Sequence, residues 1–214
     1  MIDQFIYLHG FASSPASKKA TVFHDEFERR GHSLIVPDLE GGDFENLTIS
    51  SQINIVQRCM GDVDGRRFGL IGSSMGGYIA VLLAQMRKDI AAIYLMAPAF
   101  NFVNRWQARL KMDFPGHQAI PSLIEVFHYR YNEKRKISTS LFDDAMKWEA
   151  VLVDRILPVR IVHGLRDVSV DICESRNFVR SRPWCNLVEL DSDHGLLSHV
   201  DWIVEDCLSF FGQN

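Results

Sequence analysis

Arg67-Phe68-Gly69-Leu70-Ile71-Gly72-Ser73-Ser74-Met75-Gly76-Gly77-Tyr78-Ile79-Ala80 is the stretch on which the reading of this chain turns. An apolar, strand-forming run meets a glycine on each side of one serine and passes directly into a small-residue helical run. The pattern is G-x-S-x-G, the sequence form of a sharp strand-to-helix turn with Ser74 at its apex. Such a turn closes only if the residues two before and two after the serine lack bulk, and Gly72 and Gly76 meet that demand. Three fixed positions in five recur by chance, so the flanking chain has to decide.

Upstream, Gln4-Phe5-Ile6-Tyr7-Leu8 predicts a buried strand that stops at His9-Gly10. After the small polar loop around Ser13-Ser14-Pro15, Ala20, Val22, Phe23 and Phe27 recur at helical spacing, and Gly31 closes that helix. Ser33-Leu34-Ile35-Val36 predicts a second strand, and a helix from about Ile49 to Met60 follows a glycine-rich loop. The strand into Ser74 is the third. Downstream, Ile90 to Met96, Val159 to Val162 and Asn186 to Leu190 predict the fourth, fifth and sixth. Helices from about Val170 to Arg180 and Trp202 to Phe211 complete an alternation of strand and helix, which implies right-handed β-α-β units and a parallel sheet.

Residues 101–154 break the alternation. The segment is rich in aromatics, with Pro115-Gly116 and Pro121 as breakers, and it is too long for an ordinary connection. It is expected to be a helical lid inserted into a core made of residues 1–100 and 155–214, the whole being one domain. Phe100, Phe102 and Trp106 are the candidates for lining a substrate pocket beneath it.

The chain has 214 residues, 47% of them hydrophobic and 23% charged, ordinary values for a globular protein. A net charge of -4 argues against general attraction to nucleic acid or anionic membranes. The clusters Arg29-Arg30, Arg66-Arg67 and Lys134-Arg135-Lys136 read as solvated edges of helices and turns. Cys59, Cys173, Cys185 and Cys207 form no C-x-x-C pair and no zinc-type spacing, so no metal is expected. With no targeting pattern at the start and no apolar run of membrane-spanning length, a reduced, cytoplasmic setting is expected.

A serine hydroxyl needs a base to take its proton, and the base needs a group to orient it. In an open parallel sheet those partners belong in loops beyond the carboxyl ends of later strands. His194 lies in Asp191-Ser192-Asp193-His194-Gly195 after the sixth strand, and Asp167 in His163-Gly164-Leu165-Arg166-Asp167 after the fifth. Asp171 is the nearest substitute for Asp167; Asp193 adjoins His194 too closely to reach the far ring nitrogen. His163 and His199 read as packing or solvent-facing residues, and His9 as a brace for its loop. Backbone N–H groups of Met75 and Phe11 are the candidates for stabilising a developing oxyanion.

Taken together, His9-Gly10-Phe11, Gly72-Ser73-Ser74-Met75-Gly76-Gly77, the His163-to-Asp167 run and Asp193-His194-Gly195 resemble the α/β-hydrolase superfamily. Within it the chain is similar to small serine esterases and to abhydrolase-domain acyl-protein (palmitoyl) thioesterases. The resemblance implies an α/β fold of about six mainly parallel strands with helices on both faces. It also implies hydrolysis of an ester or thioester with an apolar acyl or aryl group through an acyl-enzyme on Ser74, with no cofactor. The substrate would be a small molecule or an acylated protein. The same triad also serves acyl transfer to alcohols and carbon–carbon bond hydrolysis, and a nonenzymatic binder on a hydrolase body is the remaining reading.

Overall fold

The computed structural model describes residues 2–61, 65–115 and 120–213. Gly116, read above as a breaker, lies outside them. Among the described residues, eight strands run in chain order: β1 (Gln4–Leu8), β2 (Leu34–Ile35), β3 (Phe68–Ser73), β4 (Ile90–Met96), β5 (Leu123–His128), β6 (Glu133–Ser138), β7 (Val159–Gly164) and β8 (Cys185–Leu190). The helices are α1 (Lys18–Arg29), α2 (Ile49–Met60), α3 (Met75–Met86), α4 (Phe102–Asp113), α5 (Ser140–Glu149), α6 (Ile172–Arg180) and α7 (Val200–Phe210). None of the helices among the described residues is long and apolar enough to cross a membrane.

Six of the strands form one sheet in the order β2-β1-β3-β4-β7-β8, every neighbouring pair parallel. This is the α/β architecture expected. Alternation along each strand splits the core in two. Phe5, Tyr7, Ile71 and Tyr94 face α1 and α7, whereas Ile6, Leu8, Leu70 and Leu95 face α2 and α3. α3 is buried almost all round, because it packs on the sheet from beneath the inserted segment. α2 is fixed at its start by a reciprocal capping box between Thr48 and Ser51. α1 ends where Gly31 takes a positive φ of 78°.

The chain leaves β1 towards β2 on one side and returns through β3 on the other. The carboxyl ends of β1 and β3 therefore flank a crevice at the point where strand order reverses, the usual ligand position in such sheets. The register brings Leu8 beside Gly72 and Ser73 beside Met96, so the loops after β1, β3 and β4 leave the sheet together.

Residues 101–154 connect β4 to β7 and are not helical throughout. Between α4 and α5 lies an antiparallel hairpin of β5 and β6, paired from Leu123↔Ser138 to His128↔Glu133. The period there is two: Ile124 and His128 are buried, while Leu123, Glu125 and Phe127 are exposed. The partner strand β6 carries Lys134, Arg135 and Lys136, which are exposed as expected but sit on a ladder rather than at a helix edge or turn. The segment is tied to the body at each part. Tyr129 N–H donates to Ala12 O (2.9 Å) and Ser138 N–H to Glu45 O (2.7 Å). Asp144 of α5 accepts from the N–H and the hydroxyl of Ser50 at 2.8 and 2.7 Å.

Candidate active site

Ser74 stands between β3 and α3 with φ 53° and ψ -116°, a conformation that costs an L residue energy and persists only where its surroundings enforce it. The enforcement is visible in the bonds around it. Ser74 N–H donates to Met96 O (2.9 Å), and Ser74 O accepts from Gly77, Tyr78 and Ala99. The glycines of the motif are required by close approach. A Cβ on Gly76 would sit 2.1 Å from Leu8 O, and one on Gly72 would sit 2.5 Å from Gly76 O. The neighbouring Ser73 is buried beside Tyr7, so Ser74 is the hydroxyl at the sheet edge.

The loop after β8 brings His194 over this turn. His194 Nε2 lies 3.1 Å from Ser74 Oγ, and its Nδ1 lies 2.7 Å from Asp167 Oδ2 in the loop after β7. An ionised carboxylate only accepts hydrogen bonds, so Nδ1 carries the ring proton and Nε2 is free to accept from the serine hydroxyl. The three residues read from separate loops are thus in one hydrogen-bonded line, in the geometry that lets a histidine take a serine proton.

Asp167 is held more tightly than the sequence indicated. Its Oδ1 accepts from Ser169 and Val170 N–H, each at 2.8 Å. Its Oδ2 also accepts from His163 Nε2 at 3.1 Å. Burial acts to raise its pKa, but the bonds from His163, His194 and Val170 outweigh burial and hold the carboxyl well below the usual carboxylate range. The carboxyl is therefore ionised at neutral pH.

His163 has a second role that the sequence reading missed. It is fully buried; its Nδ1 accepts from the Ser175 hydroxyl at 2.8 Å, and its Nε2–H is shared between Asp167 and Val170 O. It packs, as expected, yet it also orients Asp167. The signal was its place beside Gly164 at the end of β7, four positions ahead of Asp167. Asp171, the substitute considered for Asp167, instead caps α6 through Cys173 N–H. Asp193 accepts from Leu196 N–H in its own turn.

His9 braces the loop after β1, with Nδ1–H donating to Gly10 O (2.9 Å) and Nε2 accepting from Leu39 N–H (3.1 Å). The two backbone donors named for the oxyanion, Phe11 N–H and Met75 N–H, have no hydrogen-bond partner among the described residues. Unpaired N–H groups in the loops after β1 and β3 are available as donors.

Two cavities meet at Ser74 and His194. One, of about 450 Å³, is walled by Phe11, Met75, Phe102, Trp106, Val170 and Arg105. The other, of about 420 Å³, runs past Gly10, Gly195 and Leu197 to Tyr129 of the hairpin and Lys19 of α1. Burial pushes the Lys19 ammonium down to about 8, opposed by the charges of Asp167 and Asp193. Phe102 and Trp106 thus stand where pocket residues were expected. Phe100 does not: it is buried away from Ser74 in a stack with Phe178 of α6, ring centres 4.2 Å apart. Its position beyond the turn after Ala97-Pro98 directs it towards α6 instead of into the cavity. Among the described residues no group of three or more His, Cys, Asp or Glu is arranged to hold a metal.

Comparison with solved structures places this architecture among α/β hydrolases. Est1E from Butyrivibrio proteoclasticus is similar over 99% of this chain and 88% of its own, with TM-score 0.77 and 21% identity. Alpha/beta hydrolase domain-containing protein 10 from mouse is similar over 98% of this chain and 90% of its own, with TM-score 0.78 and 21% identity. A monoacylglycerol lipase from Paleococcus ferrophilus is similar over 97% of this chain and 94% of its own, with TM-score 0.69 and 18% identity. Curated protein sequences give no match. The family model described as "Uncharacterised protein family (UPF0227)" matches residues 4–211, and the chain, with its α/β-hydrolase fold, belongs to that family.

Proposed function

We propose that the protein is a serine hydrolase that cleaves carboxylic esters or thioesters with an apolar acyl or aryl group. The observation that carries this reading is the continuous line Asp167–His194–Ser74, with contacts of 2.7 and 3.1 Å, on a serine held at a positive φ. The fold it shares with esterases and lipases supports the same class.

Ser74 Oγ attacks the substrate carbonyl as His194 Nε2 takes the hydroxyl proton. Asp167 stabilises the imidazolium through Nδ1–H, and His163 keeps Asp167 in line. The N–H groups of Phe11 and Met75 receive the oxyanion, an interaction for which loss of one donor costs about 3–4 kcal/mol of barrier. His194 then returns the proton to the departing alcohol or thiol. In the second half a water gives its proton to His194, attacks the acyl-enzyme and releases the acid, regenerating Ser74. The aromatic walls of the cavity favour apolar groups, whose burial yields roughly 25 cal/mol per Å² before ordering costs. The segment 101–154 acts as a lid, supplying Phe102, Trp106 and Tyr129 to the two cavities.

The test is hydrolysis of short-chain p-nitrophenyl acyl esters. The Ser74→Ala protein is expected to lose activity by roughly 10³-fold or more while melting at the wild-type temperature. Turnover retained by this variant would overturn the assignment.

A further inference from the structure

Arg105 projects from the first turn of α4 into the cavity of about 450 Å³ that Ser74 and His194 also line. It is half-buried, and among the described residues no carboxylate lies within ion-pairing distance of it. Two of its nitrogens are fixed: Nε donates to Phe100 O at 3.2 Å and Nη1 to Ser169 O at 2.7 Å. Nη2 has no partner. The acids whose charge reaches it are each engaged elsewhere, Glu174 with Asn101, Asp167 with His194 and Glu149 with Val103 N–H. Burial pushes the guanidinium pKa down, the expected consequence of a cation partly withdrawn from water without a counter-ion.

A purely structural role would be a latch holding α4 to the loop before α6. A neutral amide would serve that end at lower desolvation cost, since a half-buried charge without a partner is expensive. The two carbonyl contacts instead fix the plane of the guanidinium and leave Nη2 available to a carboxylate in the cavity that Arg105 lines. One helical turn further on, Arg109 lines the same cavity; its head is exposed, 3.5 Å from Asp113 and 5.9 Å from the centre of the Trp106 ring. Positive charge therefore lies along one side of a cavity whose remaining walls include Phe11, Phe102, Trp106 and Val170.

We propose that this cavity selects esters that carry a carboxylate at the end of an apolar or aromatic body, and that Arg105 receives that carboxylate. The inference rests on the hydrolase reading above and specifies its substrate class: monoesters of dicarboxylic acids, or esters whose alcohol bears an acid group.

The test compares matched pairs by kcat/KM. Mono-p-nitrophenyl adipate against p-nitrophenyl hexanoate places the charge on the acyl side; 4-(butanoyloxy)benzoate against phenyl butanoate, followed by pH-stat, places it on the leaving group. The wild type is expected to prefer the charged member at least tenfold in one of the pairs. Arg105→Gln is expected to lower that ratio at least tenfold, and Arg105→Lys, which keeps the charge, to retain part of it. Lys19→Gln, in the other cavity, is expected to leave the ratio as it is. Equal wild-type rates within both pairs would overturn the inference and leave the hydrolase reading standing. So would a fall in Arg105→Gln that is the same for both members, or loss of the ratio in Lys19→Gln instead. Absence of wild-type turnover on every ester would overturn the hydrolase reading itself.

Discussion

At the scale of single residues, the site is a set of polar groups each held by more than one partner. Asp167 accepts four hydrogen bonds, from Ser169, Val170, His163 and His194. An Asp167→Asn change turns an acceptor-only group into one that also donates, so His194 loses the partner that fixes its tautomer. Its kcat on p-nitrophenyl esters is expected to fall by roughly 100-fold or more with the melting temperature changed much less. His163 acts on stability first. Replacement by Leu removes the partner of the buried Ser175 hydroxyl and of Val170 O, and is expected to cost about 2–3 kcal/mol in denaturant unfolding. A cost within 0.5 kcal/mol would mean that these bonds are not formed. Ser74, His194 and Asp167 were legible because each is a chemically distinctive residue at the end of an apolar run. His163 and Arg105 were not, because their roles depend on what lies across the fold from them: Ser175 for one, the carbonyls of Phe100 and Ser169 for the other.

At the scale of elements, the hairpin β5–β6 is the part that composition concealed. Its strands carry charges and aromatics in a segment dominated by helix formers, and only the alternation of Ile124, Val126 and His128 marks the buried face. That face is anchored by a buried pair, His128 Nε2 and Glu40 Oε1 at 2.7 Å. Burial, with help from Asp38, pushes Glu40 up to about 7 against the pull of Arg130 and Arg135. Burial, together with Arg135 and Arg130, pushes His128 down. Both shifts favour the neutral pair, in which the Glu40 O–H donates to His128. A carboxyl whose pKa is higher in the folded chain than the ordinary 4.5 favours folding fully below the lower value, and that contribution is lost as pH rises through about 7. Glu40→Gln mimics the protonated side chain. The stability of wild type relative to this variant is therefore expected to fall between about pH 5 and 8 by on the order of 1 kcal/mol, read from melting curves across that range. A pH-independent difference would contradict the neutral pair.

At the scale of the whole molecule, four loops far apart in sequence converge because β1, β3, β7 and β8 run parallel and end at the same edge. That convergence was legible in the sequence: a parallel sheet puts every strand-ending loop on one side, and each residue of the candidate site follows the end of a strand. The depth of the cavities was not legible, because it depends on how residues 101–154 fold back over the edge. Phe100 was assigned to the pocket on sequence proximity alone, and the turn after Pro98 buries it against Phe178. The central claim is that this convergence makes Ser74 the one nucleophile of the chain. Treatment with a fluorophosphonate followed by peptide mass spectrometry tests it most directly. The account predicts a single phosphonyl adduct on Ser74 in the wild type and none in Ser74→Ala; an unlabelled wild type, or a variant labelled to the same extent, would contradict it.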